Sequence, residues 1–262
     1  MTDQPDSKKR KVDEPSSYPT KPMEGQQVPE VILKTRKNGA WEDVNTKDFF
    51  AGKTVVLFSL PGAFTPTCSS THLPRYEQIF PALQKEGVDI VACMSVNDGF
   101  VMDSWGKDQN CKNVVLLPDG NCEFTDAMGM TCDKQDAGFG KRSWRYSMLV
   151  KDGKIEKIFA EPVQNGDPFL VSDADTMFKY LNPKADIPPS VLLFTKEGCS
   201  FCKKAKELLT GKGLGYEEVV CGLNGSVSLA ALRAVADAVT TPQVFMNGKL
   251  IGGYDDLAKF LA

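Results

Sequence analysis

The sequence predicts an α/β protein of two domains in tandem, and three observations carry that expectation. Apolar strands alternate with amphipathic helices over residues 23–182, and the alternation repeats on a smaller scale over 190–262. Between them, residues 183–189 hold Pro183, Pro188 and Pro189, a stiff extended spacer. Each half also places a cysteine motif where an apolar strand gives way to a helix: Pro61-Gly62-Ala63-Phe64-Thr65-Pro66-Thr67-Cys68 in the first, Cys199-Ser200-Phe201-Cys202 in the second. A length of 262 residues suits two modest domains, each able to bury a core.

Composition narrows the function classes. The hydrophobic share is 42% and the charged share 25%, as in an ordinary soluble protein, and a net charge of −3 gives no reason to expect nucleic acid or an anionic membrane as partner. No apolar run reaches the roughly 18 residues needed to span a bilayer, and the first 22 residues lack the apolar core of a secretory signal. An intracellular, cytoplasmic location is expected. In a reducing compartment the eight cysteines do not imply a disulfide framework, and a single histidine, His72, leaves few candidates for a Cys/His metal cluster. Thiol catalysis is the leading use for them, with no resident metal or cofactor.

Residues 1–22 are rich in Pro, Ser, Lys, Asp and Glu and nearly free of aliphatics, so a disordered basic tail is expected. Within it Lys8-Lys9-Arg10-Lys11-Val12 resembles a short nuclear import signal, whose alternative reading is a solubilising tail. Strands are predicted at 31–35, 41–44 and 54–60, the last rich in branched residues. A helix follows in which Leu73, Tyr76, Phe80 and Leu83 recur at helical spacing, with a bend at Pro81. Next come a strand at 88–96, a helix at 99–107 and strands at 114–117 and 144–151. Asp152-Gly153 is a tight-turn pair that folds 154–159 back as a hairpin, and 173–181 closes the domain as a helix.

In the second half, strands are predicted at 190–195 and 216–220 and helices at 202–212 and 229–238. Residues 243–246 and 249–252 flank Asn247-Gly248, a type I′ turn pair, before a last helix at 255–261. This β-α-β-α-β-β-α order is the thioredoxin-like arrangement.

Cys68 sits where a helix opens, with Pro66 at its start. Unpaired backbone N–H groups and the positive end of the helix dipole stabilise a thiolate there. Pro61, Thr65 and Cys68, continuing as Ser69-Ser70-Thr71-His72-Leu73-Pro74, resemble the peroxiredoxins, and specifically their atypical subfamily, over about residues 25–182. The resemblance implies that Cys68 attacks a hydroperoxide, that Thr65 and Arg145, from Arg145-Tyr146-Ser147-Met148, hold the peroxide, and that Pro61 shields the sulfur. Arg142 is the nearby alternative to Arg145. The physical need is for donors that stabilise charge on the departing oxygen. His72 lies one turn beyond Cys68 and is not needed as a base. Atypical two-cysteine members carry a resolving cysteine late in the domain, but Asp167-Pro168-Phe169-Leu170-Val171-Ser172-Asp173 contains none, so a one-cysteine peroxidase is expected, reduced by an external thiol. Cys93 reads as core; Cys111, Cys122 and Cys132 read as surface thiols without a role.

A Cys-x-x-Cys pair at a strand-to-helix turn puts Cys199 over the helix start as the attacking thiolate and Cys202 inside as the resolving one. Half of a zinc site is the alternative, and Cys221, which reads as structural, is its sole nearby candidate. Together with Thr240-Thr241-Pro242 and Gly252-Gly253-Tyr254-Asp255-Asp256, the pair resembles a dithiol glutaredoxin over 190–262. That resemblance implies a glutathione groove: Lys196 and the helix start at Tyr254 and Asp255 would meet carboxylates, Phe201 would line it, and Thr241 before a cis Pro242 would offer its backbone.

Joined, the halves resemble hybrid peroxiredoxin-glutaredoxin fusions: two thioredoxin-like domains in which the second replaces the missing resolving cysteine. The expected function is a glutathione-dependent peroxidase acting on hydrogen peroxide and alkyl hydroperoxides, in a homodimer or homotetramer. A redox sensor that passes oxidation to client proteins, or an iron-sulfur carrier, are the competing readings. Turnover with glutathione separates the first, colour in the purified protein the second.

Overall fold

The computed structural model describes residues 23–37, 39–164, 166–222 and 225–262; the tail with Lys8 to Val12 lies outside them. Chain order begins with a hairpin, β1 (Ile32–Lys37) and β2 (Ala40–Asn45), and a short helix α1 (Thr46–Phe50) started by the Asn45 side chain accepting from the Lys47 N–H. Then follow β3 (Thr54–Leu60), a π-helical turn Cys68–His72 running into α2 (Leu73–Lys85), β4 (Ile90–Ser95), α3 (Gly99–Asp108) and β5 (Val115–Pro118). Next are α4 (Glu123–Ala127), a small hairpin β6 (Thr131–Lys134) and β7 (Gly140–Ser143), β8 (Tyr146–Lys151), β9 (Lys154–Ala160) and α5 (Ala174–Leu181).

The five-stranded sheet has the order β5-β4-β3-β8-β9, parallel from β5 to β3 and antiparallel beyond. Strand β3 is central, and its alternation explains its unbroken apolar run. Val56, Phe58 and Leu60 face α2, α3 and α5, where Leu73, Tyr76, Leu83, Trp105 and Phe178 fill one core; Val55 and Leu57 face the opposite core with Phe50, Phe124 and Met148. The predicted β8–β9 hairpin turns at Asp152 and Gly153, both at positive φ (48° and 74°). Helix α2 continues through Pro81.

The second domain comprises β10 (Val191–Thr195), α6 (Ser200–Gly211), β11 (Glu217–Val220), α7 (Leu229–Ala236), β12 (Gln243–Met246), β13 (Lys249–Gly252) and α8 (Tyr254–Phe260). Its sheet runs β11-β10-β12-β13, with β10 and β11 parallel and the rest antiparallel. Both domains are thus thioredoxin-like. The spacer is pinned rather than free: Arg75 on α2 donates to the Pro188 carbonyl at 2.6 Å and to Asp175 at 2.9 Å, and buried Gln78 donates to the Val191 carbonyl at 2.7 Å.

Three features depart from the sequence expectations. Helix α6 begins at Ser200 rather than 202, because Cys199 itself is the N-cap. Helices α1 and α4 and the β6–β7 hairpin were not anticipated. Cys122, the N-cap of α4, and Cys132, on β6, expected at the surface, are buried at 4% and 5% exposure. Cys93 is fully buried on β4 and Cys221 nearly so, as expected.

Candidate active site

The turn after β3 carries Pro61 to Thr67, with Phe64 at φ 61°, and aims the chain into the helix that opens at Pro66. Cys68, on its first turn, is wholly buried. The Thr65 hydroxyl donates to the Gly62 carbonyl at 2.8 Å, while the Ser69 N–H donates to the Thr65 carbonyl at 3.0 Å. The hydroxyl proton is therefore occupied, and the lone pairs of the oxygen are what Thr65 offers a ligand.

Arg145 immediately precedes β8 and is 2% exposed. One terminal nitrogen, Nη1, lies 3.4 Å from Cys68 Sγ and 3.2 Å from His72 Nδ1; the other, Nη2, donates to Asp167 Oδ2 at 2.5 Å. Burial opposes its charge, but the Asp167 carboxylate and the Cys68 sulfur together hold the guanidinium above its ordinary pKa. Arg142, the alternative, goes elsewhere: it donates to the carbonyls of Phe139 and Val96. Arg145 is the arginine of the site.

His72 is fully buried, and burial followed by the Arg145 charge pushes its pKa down to about 3. It is neutral, with Nε2–H donating to the Ser172 carbonyl at 3.2 Å and Nδ1 accepting from Arg145. It supports the arginine and is not a base. The loop residues 166–172 lie over this group. Glu161, fully buried, anchors the loop by accepting from the N–H groups of Leu170, Val171 and Ser172 (2.7, 2.9 and 2.8 Å) and from the Ser172 hydroxyl. Phe169 packs at 4.9 Å from the His72 ring and 5.6 Å from the Arg145 guanidinium. Pro61, Arg145 and Asp167 line one shallow depression. Sequence reasoning read this loop for a missing cysteine, and so passed over Asp167, Phe169 and Glu161; an isolated Glu straight after a strand, before Pro162, was the available signal.

In the second domain Cys199 and Cys202 form a disulfide at the start of α6. The Cys202 N–H donates to Cys199 Sγ at 3.1 Å, the Thr241 hydroxyl donates to it at 3.6 Å, and the Thr241 carbonyl oxygen lies 3.4 Å away. The Thr241–Pro242 bond is cis. Phe201, half exposed, faces Tyr254 with ring centroids 6.1 Å apart, and Lys204 lies over both rings. Asp255 sits in the first turn of α8, whose N-cap N–H on Gly253 is taken by Asp256 at 3.0 Å. Lys196 and Cys199 share an open cavity of about 990 Å³ whose far wall is Lys107, Asp108 and Lys112 of the first domain. Among the described residues no group of three or more His, Cys, Asp or Glu is disposed to hold a metal.

A Redoxin family model matches residues 23–178 and a Glutaredoxin model residues 191–251. A hybrid peroxiredoxin of Haemophilus influenzae is 55% identical over 240 residues, covering 92% of this chain and 99% of its own. Among solved structures, reduced Prx3 of Vibrio vulnificus in complex with hydrogen peroxide is 40% identical with a TM-score of 0.57, covering 60% of this chain and 98% of its own. An antioxidant protein of Plasmodium falciparum, a 1-Cys peroxiredoxin, is 31% identical with a TM-score of 0.58, covering 62% of this chain and 99% of its own.

Proposed function

The chain belongs to the hybrid peroxiredoxins, a Redoxin domain with a Glutaredoxin domain behind it, and on that footing we propose how its residues divide the work. It is a peroxidase, an oxidoreductase with a glutaredoxin domain to regenerate it. Our reading makes Cys68 the nucleophile. Its thiolate sulfur forms a bond to the terminal peroxide oxygen as the O–O bond breaks; the electron pair leaves on the other oxygen, which takes a proton and departs as water or alcohol. Cys68 becomes a sulfenic acid.

The observation that carries this reading is the Arg145 Nη1 contact at 3.4 Å from the buried Cys68 Sγ. A fixed cation there stabilises the thiolate and the charge leaving on oxygen. The Thr65 oxygen, its own proton given to Gly62, would accept the hydroperoxide proton.

Glutathione is the reductant in this proposal. Its thiol condenses with the sulfenic acid, releasing water and leaving a Cys68–glutathione disulfide. The Cys199 thiolate then attacks the glutathione sulfur and frees the Cys68 thiolate. A second glutathione attacks the sulfur of the glutathione bound to Cys199, leaving as glutathione disulfide and freeing the Cys199 thiolate; alternatively Cys202 attacks Cys199 Sγ, expelling glutathione, and the Cys199–Cys202 disulfide is reduced in turn by two glutathiones, which depart as glutathione disulfide. The groove of Phe201, Thr241, Pro242, Tyr254 and Asp255, with Lys196 beside it, is the proposed glutathione site. A homodimer or homotetramer, a cytoplasmic location and a nuclear role for Lys8 to Val12 belong to the same proposal.

The test is consumption of hydrogen peroxide and of an organic hydroperoxide with glutathione, glutathione reductase and NADPH. Activity lost in both Cys68→Ser and Cys199→Ser supports the relay. Full activity in Cys199→Ser would mean that free glutathione regenerates Cys68 and the second domain serves other substrates.

A further inference from the structure

Arg145 is a buried cation facing a charge that vanishes during turnover. The form of Cys68 that attacks peroxide is the thiolate, whereas a sulfenic acid or a glutathione disulfide at that sulfur is neutral. His72 offers the guanidinium a neutral lone pair. The anion that persists through every stage is the Asp167 carboxylate, bonded to Nη2 at 2.5 Å. An uncompensated buried charge costs several kcal/mol, so without Asp167 the side chain would be driven to turn toward solvent each time Cys68 lost its charge.

Geometry adds to charge. A guanidinium is a rigid plane, so holding Nη2 on Asp167 fixes the direction in which Nη1 points at Cys68. Asp167 is itself 41% exposed on its side chain, and a free surface carboxylate would hold nothing firmly. It is held because its loop is tied at Glu161 and weighted by Phe169 against His72 and Arg145. We infer that Asp167 is a positioning residue for the peroxide step: it keeps Arg145 aimed at the reacting oxygen, and the loop that in two-cysteine relatives would be read for a resolving cysteine serves here as the bracket for that carboxylate. This rests on the peroxidase reading of Cys68 above.

The test is single-turnover oxidation of reduced full-length protein by hydrogen peroxide, followed by sulfenate formation at Cys68, in parallel with alkylation of Cys68 by iodoacetamide. Alkylation needs a competent thiolate but no donor aimed at a departing peroxide oxygen. Asp167→Asn is expected to slow oxidation about tenfold or more, the scale of one misdirected charged donor, while alkylation stays within about threefold. Asp167→Glu is expected to recover most of the lost rate. Oxidation within about twofold of wild type in Asp167→Asn, or equal falls in both reactions, would overturn the assignment, the latter by making the residue a structural support only. Neither reaction uses glutathione or Cys199, so failure of the relay leaves the inference standing; failure of wild-type Cys68 to oxidise would sink both.

Discussion

Glu161 is the knot of the loop over Cys68, and Glu161→Gln changes it by one functional group. Its Oε1 accepts from Val171 N–H, Ser172 N–H and the Ser172 hydroxyl at 2.9, 2.8 and 2.7 Å; its Oε2 accepts from Leu170 N–H at 2.7 Å. A carboxamide keeps one oxygen for the three-bond cluster and turns an NH2 toward Leu170, replacing an acceptor with a donor. Losing one charge-assisted bond and weakening three others amounts to about 2 kcal/mol at this loop. At 1.4 kcal/mol per tenfold, amide exchange at Val171 and Ser172 should quicken about 30-fold in Glu161→Gln, with the global unfolding midpoint moved much less. Peroxide consumption should fall alongside, because Asp167 and Phe169 ride on the same loop. Hydrogen exchange read by mass spectrometry on peptides covering 162–172 is the assay. Unchanged exchange there would refute the claim that Glu161 holds the loop.

His72 is held neutral to about pH 3, whereas an unfolded histidine binds a proton near 6.5. Between those values the unfolded chain holds more protons than the folded one, so stability falls as pH drops from 6.5 toward 3; His72→Gln, which keeps an acceptor for Arg145 and a donor for Ser172, should flatten that acid slope in urea titrations. Arg75→Met removes the bonds to Pro188 and Asp175, about 2 kcal/mol at a partly exposed site, and limited proteolysis within 183–189 should speed up by about an order of magnitude. Cys93 has its thiol pushed well up by burial and should resist iodoacetamide in the native protein while reacting fully in guanidinium, as peptide mapping would report.

What the chain discloses before folding is uneven, for physical reasons. Strand β3 is legible because an unbroken branched run leaves few alternatives, and both Asp152-Gly153 and Asn247-Gly248 announce their turns through residues suited to positive φ. Strands β6 and β7 are four residues each and polar enough to read as loop; they are tied to α4 through side chains, Asp126 accepting from the Thr131 hydroxyl and from Lys141, and Cys122 and Cys132 are buried in that small unit. Cys68, Thr65, Arg145 and the Cys199–Cys202 pair are carried by local motifs. His72 is a different case: its neutrality is made by Phe58, Tyr76 and Phe169 from three separate elements, which no spacing along the chain expresses. Asp167 likewise acquires its meaning only when the loop folds back on Arg145.

The bond from buried Gln78 to the Val191 carbonyl bears on how separable the halves are. Val191 opens an inner strand of the second domain, yet its carbonyl is capped by a helix of the first, the helix whose leading turn bears Cys68. A gene cut at the spacer would leave one fragment with a stranded carboxamide and the other with an uncapped strand, so the two folds are modules by ancestry but not fully interchangeable parts. A substitute glutaredoxin grafted here would inherit the tether without the latch.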